Sequence, residues 1–211
     1  MTQATPMVFV VDDDPSVRRS LESLIDSAGW QTETFASAQE FLSHPRVRAP
    51  SCLVLDLALP GLNGLQLQKR VAVDRADMPI IFISGYGDVP MTVQAMKAGA
   101  IEFLTKPVHA DVLLSAIQNA LERSRTALQS GVEMQALRDR YASLTPREGE
   151  VMVLVTSGLL NKQVGAELGI SEITVKAHRG NMMRKMNARS LPQLVNMAAK
   201  LRIELAPLQT L

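Results

Sequence analysis

Over the first 120 residues, short apolar runs alternate with amphipathic stretches. The runs Met7 to Val11, Gln31 to Phe35, Cys52 to Asp56, Pro79 to Ser84 and Ile101 to Leu104 predict strands. The stretches around 15–28, 37–43, 64–73, 88–98 and 110–123 have helical spacing. Strands that alternate with helices build a parallel sheet covered on both faces, and LVLD and IIFIS are apolar at consecutive positions, as doubly covered strands must be. In such sheets binding and chemistry gather at the carboxyl ends of the strands.

From residue 124 to 141 the chain is polar with spaced leucines and carries no strand signal. Gly131 reads as a break, and Leu121, Leu128 and Leu137 are too loosely spaced for a regular coiled coil, so a helical linker is predicted, with a dimerising helix as the alternative. The last 70 residues predict helices only. Thr145-Pro146-Arg147-Glu148 is a capping box with proline at the first helical position, and Gly158 ends that helix. A second helix follows Asn161, Gly169-Ile170-Ser171 forms a turn into a third over 172–187, and Ser190 opens a fourth reaching about Arg202. The tail ELAPLQTL reads as loose.

Composition changes this picture little. With 46% apolar and 20% charged residues and no long uncharged apolar run, the chain reads as globular and cytoplasmic, with no membrane partner. MTQATP has neither the basic nor the apolar segment of an export signal. The lone Cys52 lies in an apolar run and reads as a buried structural thiol. Charge is more telling: residues 1–120 carry net −4 and residues 141–211 net +4, which makes the basic end the candidate for phosphate backbones.

The predicted topology brings Asp12, Asp13 and Asp56 to one sheet edge, where three carboxylates repel unless a cation neutralises them. Hard oxygen ligands at an open edge suit a hydrated Mg²⁺. Ser84, ending the fourth strand, can donate to a phosphoryl oxygen, and Lys106 after the fifth can reach the same place as a point charge. Such a site can accept a phosphoryl group on a carboxylate. Singly, each residue has a plainer reading: Asp14-Pro15 caps a helix, Phe103 fills a core, and Lys106-Pro107 alone signals nothing.

Taken together, the Asp12-Asp13 pair, Asp56 followed by Pro60-Gly61, Ser84 and Lys106-Pro107 make residues 7–123 resemble the receiver domain of two-component response regulators. The resemblance implies a flavodoxin-like, doubly wound α/β fold with a five-stranded parallel sheet. It implies that Asp56 accepts a phosphoryl group from a histidine kinase. Asp13, Asp56, Asp12 and the backbone carbonyl of Ala58 would hold Mg²⁺, Ser84 and Phe103 would form a switch pair, and Lys106 would bind the phosphoryl group. Ala58 and Tyr86 occupy positions that in receivers govern the access of hydrolytic water. No enzyme activity is implied beyond self-phosphorylation from small donors and slow self-dephosphorylation. A rival reading takes Asp12-Asp13-Asp14 as the D-x-D of a haloacid-dehalogenase-type phosphatase with Asp12 as nucleophile. It requires a late acidic motif that is missing and leaves Asp56 and the last 70 residues unexplained.

LTPREGEVMVL, NKQVGAELGIS and TVKAHRGNMMRKM resemble the LuxR-type helix-turn-helix of the FixJ and NarL regulators over roughly residues 141–203. Val175, Met182 and Met186 recur at helical spacing and predict the core face of the third helix, with Lys176, Arg179, Gly180 and Met183 opposite, entering the major groove of DNA. Ala177 belongs with them, and Arg184, Lys185 and Arg189 suit the DNA backbone. Two residues depart from the family pattern: Gly149 stands where arginine is usual, costing about 1 kcal/mol of helix propensity, and Gly165 replaces alanine. Without a nearby cysteine or second histidine, His178 reads as packed and not as a metal ligand.

The domains expected are a receiver over 1–123, a helical linker over 124–141 and an all-α four-helix output domain over 142–211. Phosphorylation is expected to make the face of about 88–120 a homodimer surface, with Leu191, Leu194, Val195 and Ala198 as further dimer contacts, and so to place two recognition helices on double-stranded DNA. A phosphorylation-independent DNA-binding protein is the remaining alternative.

Overall fold

The computed structural model describes residues 5–85 and 89–201 of the 211-residue chain. The chain divides into two compact units, Met1–Gln129 and Ser130–Leu211. Unit 1 runs β1 (Met7–Val11), α1 (Pro15–Ser27), β2 (Gln31–Phe35), α2 (Ala38–Ser43), β3 (Ser51–Asp56), α3 (Gly64–Asp74), β4 (Ile80–Ser84), α4 (Val89–Lys97), β5 (Glu102–Thr105) and α5 (Ala110–Ala142), the last continuing into unit 2. All strand pairs are parallel, in the order β2-β1-β3-β4-β5. The five strands and their helices lie where the apolar pattern puts them, to within one or two residues at each strand end.

Side chains alternate across a strand, so the apolar runs feed two cores. Phe9, Val11, Leu53, Leu55 and Phe82 pack with Phe41, Leu67, Val71 and Ala95 on one face. Val8, Val10, Cys52, Val54, Ile81 and Ile83 pack with Leu21, Ile25, Leu113 and Ile117 on the other. Cys52 is fully buried, and burial pushes its thiol pKa up, consistent with a structural role.

Helix starts follow local chemistry. The Asp14 carboxylate accepts from the Ser16 N–H at 2.7 Å with Pro15 next to it, and Asn63 and Gln66 form a capping box on α3. One linker expectation is corrected: Gly131 does not interrupt the helix, and α5 is one helix of 33 residues. A mid-helix glycine costs about 1 kcal/mol, which the helix-forming neighbours and the burial of Leu137 outweigh.

Unit 2 adds α6 (Pro146–Thr156), α7 (Asn161–Leu168), α8 (Glu172–Met186) and α9 (Leu191–Lys200). The Thr145–Glu148 capping box is formed, and Ser171 and Ser190 cap α8 and α9. Gly169 adopts φ +66°, a left-handed conformation that glycine takes without strain, and ends α7. Val151, Met152, Val164, Val175, Met182, Met186, Leu194 and Ala198 form the core. Two expected dimer residues are thereby corrected: Leu194 and Ala198 are buried within this unit and Leu191 is half-buried against its core, so of the four only Val195 is exposed. Arg202 and the ELAPLQTL tail lie outside the described residues.

Lys185 on α8 donates to the buried carboxylate of Glu148 on α6 at 2.6 Å and to the Ser143 carbonyl at 3.1 Å. The Lys185 bond to the carboxylate, with the Thr145 N–H, holds the Glu148 pKa below the usual carboxylate range. A pKa lowered by folding stabilises above the unfolded-state value and loses that contribution as pH falls through the folded one. Urea unfolding followed by circular dichroism is therefore expected to show the parent losing more stability between pH 7 and pH 4 than Glu148→Gln does. Equal loss in the two would show that the ion pair contributes nothing.

Gly64 generates a second prediction. A Cβ there would stand 2.6 Å from the Asp56 carbonyl oxygen and 3.0 Å from both Leu57 Cα and a Phe82 ring carbon. Because two of these atoms are backbone, Gly64→Ala must shift the end of β3, and a destabilisation of about 1–3 kcal/mol is expected. The single tryptophan, Trp30, packs on the core of unit 1, so its fluorescence during denaturation provides the readout.

Candidate phosphoacceptor pocket and DNA-reading helix

Because β1 and β3 are neighbours with Val11 opposite Leu55, the residues that follow them leave the sheet side by side. Asp12, Asp13 and Asp56 offer carboxylate oxygens that all lie within 4.8 Å of one another. Asp12 is fully buried, Asp56 is 6% exposed, and Asp13 is open to solvent. Lys106 Nζ donates to Asp12 Oδ2 and to Asp56 Oδ2, each at 2.6 Å. The cleft above them, about 680 Å³, is also lined by Ala58, Asn63, Ser84 and Met91.

The backbone fixes each member. Asp12 Oδ1 accepts from the Asp14 N–H at 2.9 Å, and the Asp12 carbonyl accepts from Arg18 Nη1 at 2.6 Å. Asp56 Oδ1 accepts from the Ala58 N–H at 3.0 Å, which orients the carboxylate and leaves Ala58 at the cleft. The Lys106 N–H donates to the Ser84 carbonyl at 2.7 Å, tying the exits of β4 and β5 together, and the Lys106–Pro107 peptide is cis. Burial pushes the Asp12 pKa up, against the pull of the Lys106 ammonium and the Asp14 N–H, and the nearby Asp56 charge adds to the rise. Burial pulls the Lys106 pKa down, but its bonds to Asp12 and Asp56 outweigh that and leave it raised.

Chemically, three oxygen donors at an open edge fit a hard divalent cation. The Asp56 carboxylate faces the cleft, with an ammonium beside it to offset anionic charge. Ser84 is 3% exposed on the cleft wall, and Phe103 is half-buried, stacked on Phe82 with ring centroids 6.2 Å apart. Tyr86 lies outside the described residues. What the sequence reading missed is Gly64, whose missing side chain lets α3 approach the Asp56 carbonyl. Its only sequence signal is an Asn-Gly pair at a helix start.

In unit 2 the structure separates the basic residues. Lys176, Ala177, Gly180, Arg184 and Arg189 are exposed. Arg179 is half-buried and donates from Nη1 to Asn161 Oδ1 of α7 at 2.9 Å, Met183 packs partly on the core, and Lys185 is the Glu148 partner. His178 is half-buried. A Cβ on Gly165 would meet the Ile170 carbonyl oxygen at 2.7 Å, so its small size serves the close turn between α7 and α8.

Comparison with known proteins agrees with both halves. A family model described as the response regulator receiver domain matches residues 8–118, and one for bacterial regulatory proteins of the luxR family matches residues 142–198. Nodulation protein W of Bradyrhizobium diazoefficiens is 50% identical over 197 residues, covering 93% of this chain and 87% of its own length. Transcriptional regulatory protein FixJ of the same organism is 41% identical over 193 residues, covering 92% of this chain and 94% of its own. A low-resolution structure of the response regulator StyR has a TM-score of 0.82 at 49% identity, covering 93% of this chain and 100% of that one. Neither the phosphatase reading nor the phosphorylation-independent one is favoured by these likenesses. With a receiver fold on one side and a LuxR-type helix-turn-helix on the other, the chain belongs to the two-component response regulators of the FixJ/NarL family and is a phosphorylatable transcriptional regulator.

Proposed function

We propose that Asp56 is the phosphoacceptor, that it takes its phosphoryl group from a histidine kinase, and that the phosphorylated chain binds double-stranded DNA as a homodimer. The carrying observation is the Lys106 ammonium, 2.6 Å from carboxylate oxygens of both Asp12 and Asp56 on the wall of an open cleft. An Asp56 oxygen attacks phosphorus in line, the P–N bond of the phosphohistidine breaks, and its electron pair returns to the imidazole. Lys106 then turns toward the phosphoryl oxygens, and the Ser84 hydroxyl donates to one of them. The Ala58 N–H keeps Asp56 oriented throughout.

Asp13, Asp56, Asp12 and the Ala58 carbonyl would hold Mg²⁺, which when bound supplies charge neutralisation for the transferring group. Residues 1–123 act as the receiver, 124–141 as a helical linker and 142–211 as the output domain. Phe103 follows Ser84 inward and alters the face of α4, β5 and α5, where Val89, Met91, Val93, Met96 and Val112 stand exposed. Such apolar exposure on a monomer suits a surface that a second copy covers. Lys176, Ala177, Gly180, Arg184 and Arg189 face DNA, while Arg179, Met183 and Lys185 reach it from the edge of the recognition surface. This reading places the protein in the cytoplasm, and no helix of the described residues is long and apolar enough to cross a membrane.

The test is treatment with a small phosphodonor and Mg²⁺, followed by intact mass, sedimentation and DNA binding. The parent is expected to gain one phosphoryl group, dimerise and bind DNA at least about tenfold more tightly through effective concentration. Asp56→Asn is expected to do none of these, and an Asp56→Asn protein that responds like the parent would remove the proposal. Phosphoryl lifetime is a separate measure. The Ala58 methyl group has no polar atom to position water, so the parent should keep its phosphoryl group longer than Ala58→Asn, as followed by decay of the phosphorylated mass. Equal or faster loss in the parent would contradict that role.

A further inference from the structure

Ile173 is 80% exposed although isoleucine is among the residues most often fully buried. Its place on α8 makes that exposure informative. At about 100° per residue, the core residues Val175, Met182 and Met186 fall within about 40° of the direction opposite Ile173. Ala177, Gly180 and Arg184 fall within about 40° of Ile173 itself, and Lys176 flanks them. Arg179 and Met183 lie about 120° and 80° round toward the core side, as their half-buried state and the Arg179–Asn161 bond require. The N-terminal part of the outward face is therefore Ile173, Ala177 and Gly180, a narrow apolar and small-residue strip, with Arg184 following on the same line toward the C-terminus and Lys176 to one side.

Neither helix formation nor packing accounts for an isoleucine at that place. Its β-branched side chain has lower helix propensity than the alanine, lysine or glutamate that suit an exposed position, and it supports no core contact. Beside it, Lys176 pairs with Glu172 at 3.0 Å, so the helix carries little net charge at its first turn, and the next exposed cation on this face is Arg184, about two turns beyond Ala177. The N-terminal residues of a recognition helix are those that reach base edges, and small neighbours at Ala177 and Gly180 allow close approach. The one apolar group in the major groove is the C5-methyl of thymine.

Resting on the DNA-binding reading above, we propose that Ile173 is a specificity-determining residue, packing on a thymine methyl in each half-site of the bound DNA. The Ile173 side chain leaves water on binding and selects thymine over cytosine, whose C5 carries no methyl group. Lys176 and Arg184 supply affinity beside and beyond this contact without selecting the same base.

The experiment uses full-length protein treated with a small phosphodonor, as parent and as Ile173→Ala. Each selects duplexes from a random-sequence pool. The exposed position makes Ile173→Ala neutral for folding, which its thermal melt checks. The parent is expected to enrich a motif with an invariant thymine in each half-site, and Ile173→Ala a motif degenerate at that position only. Replacing that thymine by deoxyuridine, which removes only the methyl, is expected to weaken the parent about three- to tenfold per half-site and Ile173→Ala less than twofold. Identical motifs and equal deoxyuridine sensitivity in both proteins would overturn the role of Ile173 while leaving DNA reading by α8 intact. A parent that enriches no sequence would instead overturn the DNA-binding reading, and this inference with it.

Discussion

The Lys106 ammonium sits 2.6 Å from both Asp12 and Asp56, and the architecture of the first unit is arranged so that it can. Two carboxylates of like charge at this separation repel, and a third, Asp13, is close by. Placing β1 and β3 at the centre of the sheet brings those acids together, and running β5 along β4 delivers the cation from the far edge. The strain of assembling the acids is thus offset within the protein, yet by one charge only. The cleft keeps an excess of negative charge, which attracts a cation and repels an anionic group that arrives without one.

The two units use charge differently. In the first, charge is concentrated at one point and partly buried, where its interactions are strong. In the second, two cationic side chains of α8 also serve structure: Lys185 neutralises Glu148 inside the fold, and Arg179 ties α8 to α7. The other cations of α8, Lys176 and Arg184, are exposed and make only local pairs, with Glu172 and Asn181. On the reading proposed above, the outward face of α8 would read methyl groups at its centre and phosphates beside and beyond it, a division of labour between selectivity and affinity.

Most of the fold was legible in the sequence because a doubly covered strand leaves a continuous apolar run, and five such runs spaced by amphipathic helices admit few topologies. The acid pocket was legible for the same reason: once Asp12, Asp56, Ser84 and Lys106 end four parallel strands, the sheet brings them together. What stayed hidden depends on packing. Gly131 reads as a break because propensity cannot weigh the burial of Leu137 beyond it. Lys185 and Arg184 are adjacent and chemically alike, and only the position of Glu148 on another helix distinguishes the cation that ties two helices from the exposed one. Leu194 and Ala198 follow an amphipathic pattern that is the same whether the covering surface is the unit's own core or a second copy. Ile173 was overlooked because an isoleucine in a helix suggests core until its angle to Val175 is measured.

At the end of the sheet away from the acid pocket, the buried Ser124 hydroxyl of α5 accepts from the Ser51 N–H at 3.0 Å and donates to the Asp77 carbonyl at 2.7 Å. It pairs two backbone groups, of which the Ser51 N–H is buried. A fragment cut at residue 118, where the receiver likeness stops, or even at 123, would leave the buried Ser51 N–H without this partner. The smallest sound piece of this half of the molecule is therefore longer than its family signature, and part of what looks like a connector belongs to the sheet it follows.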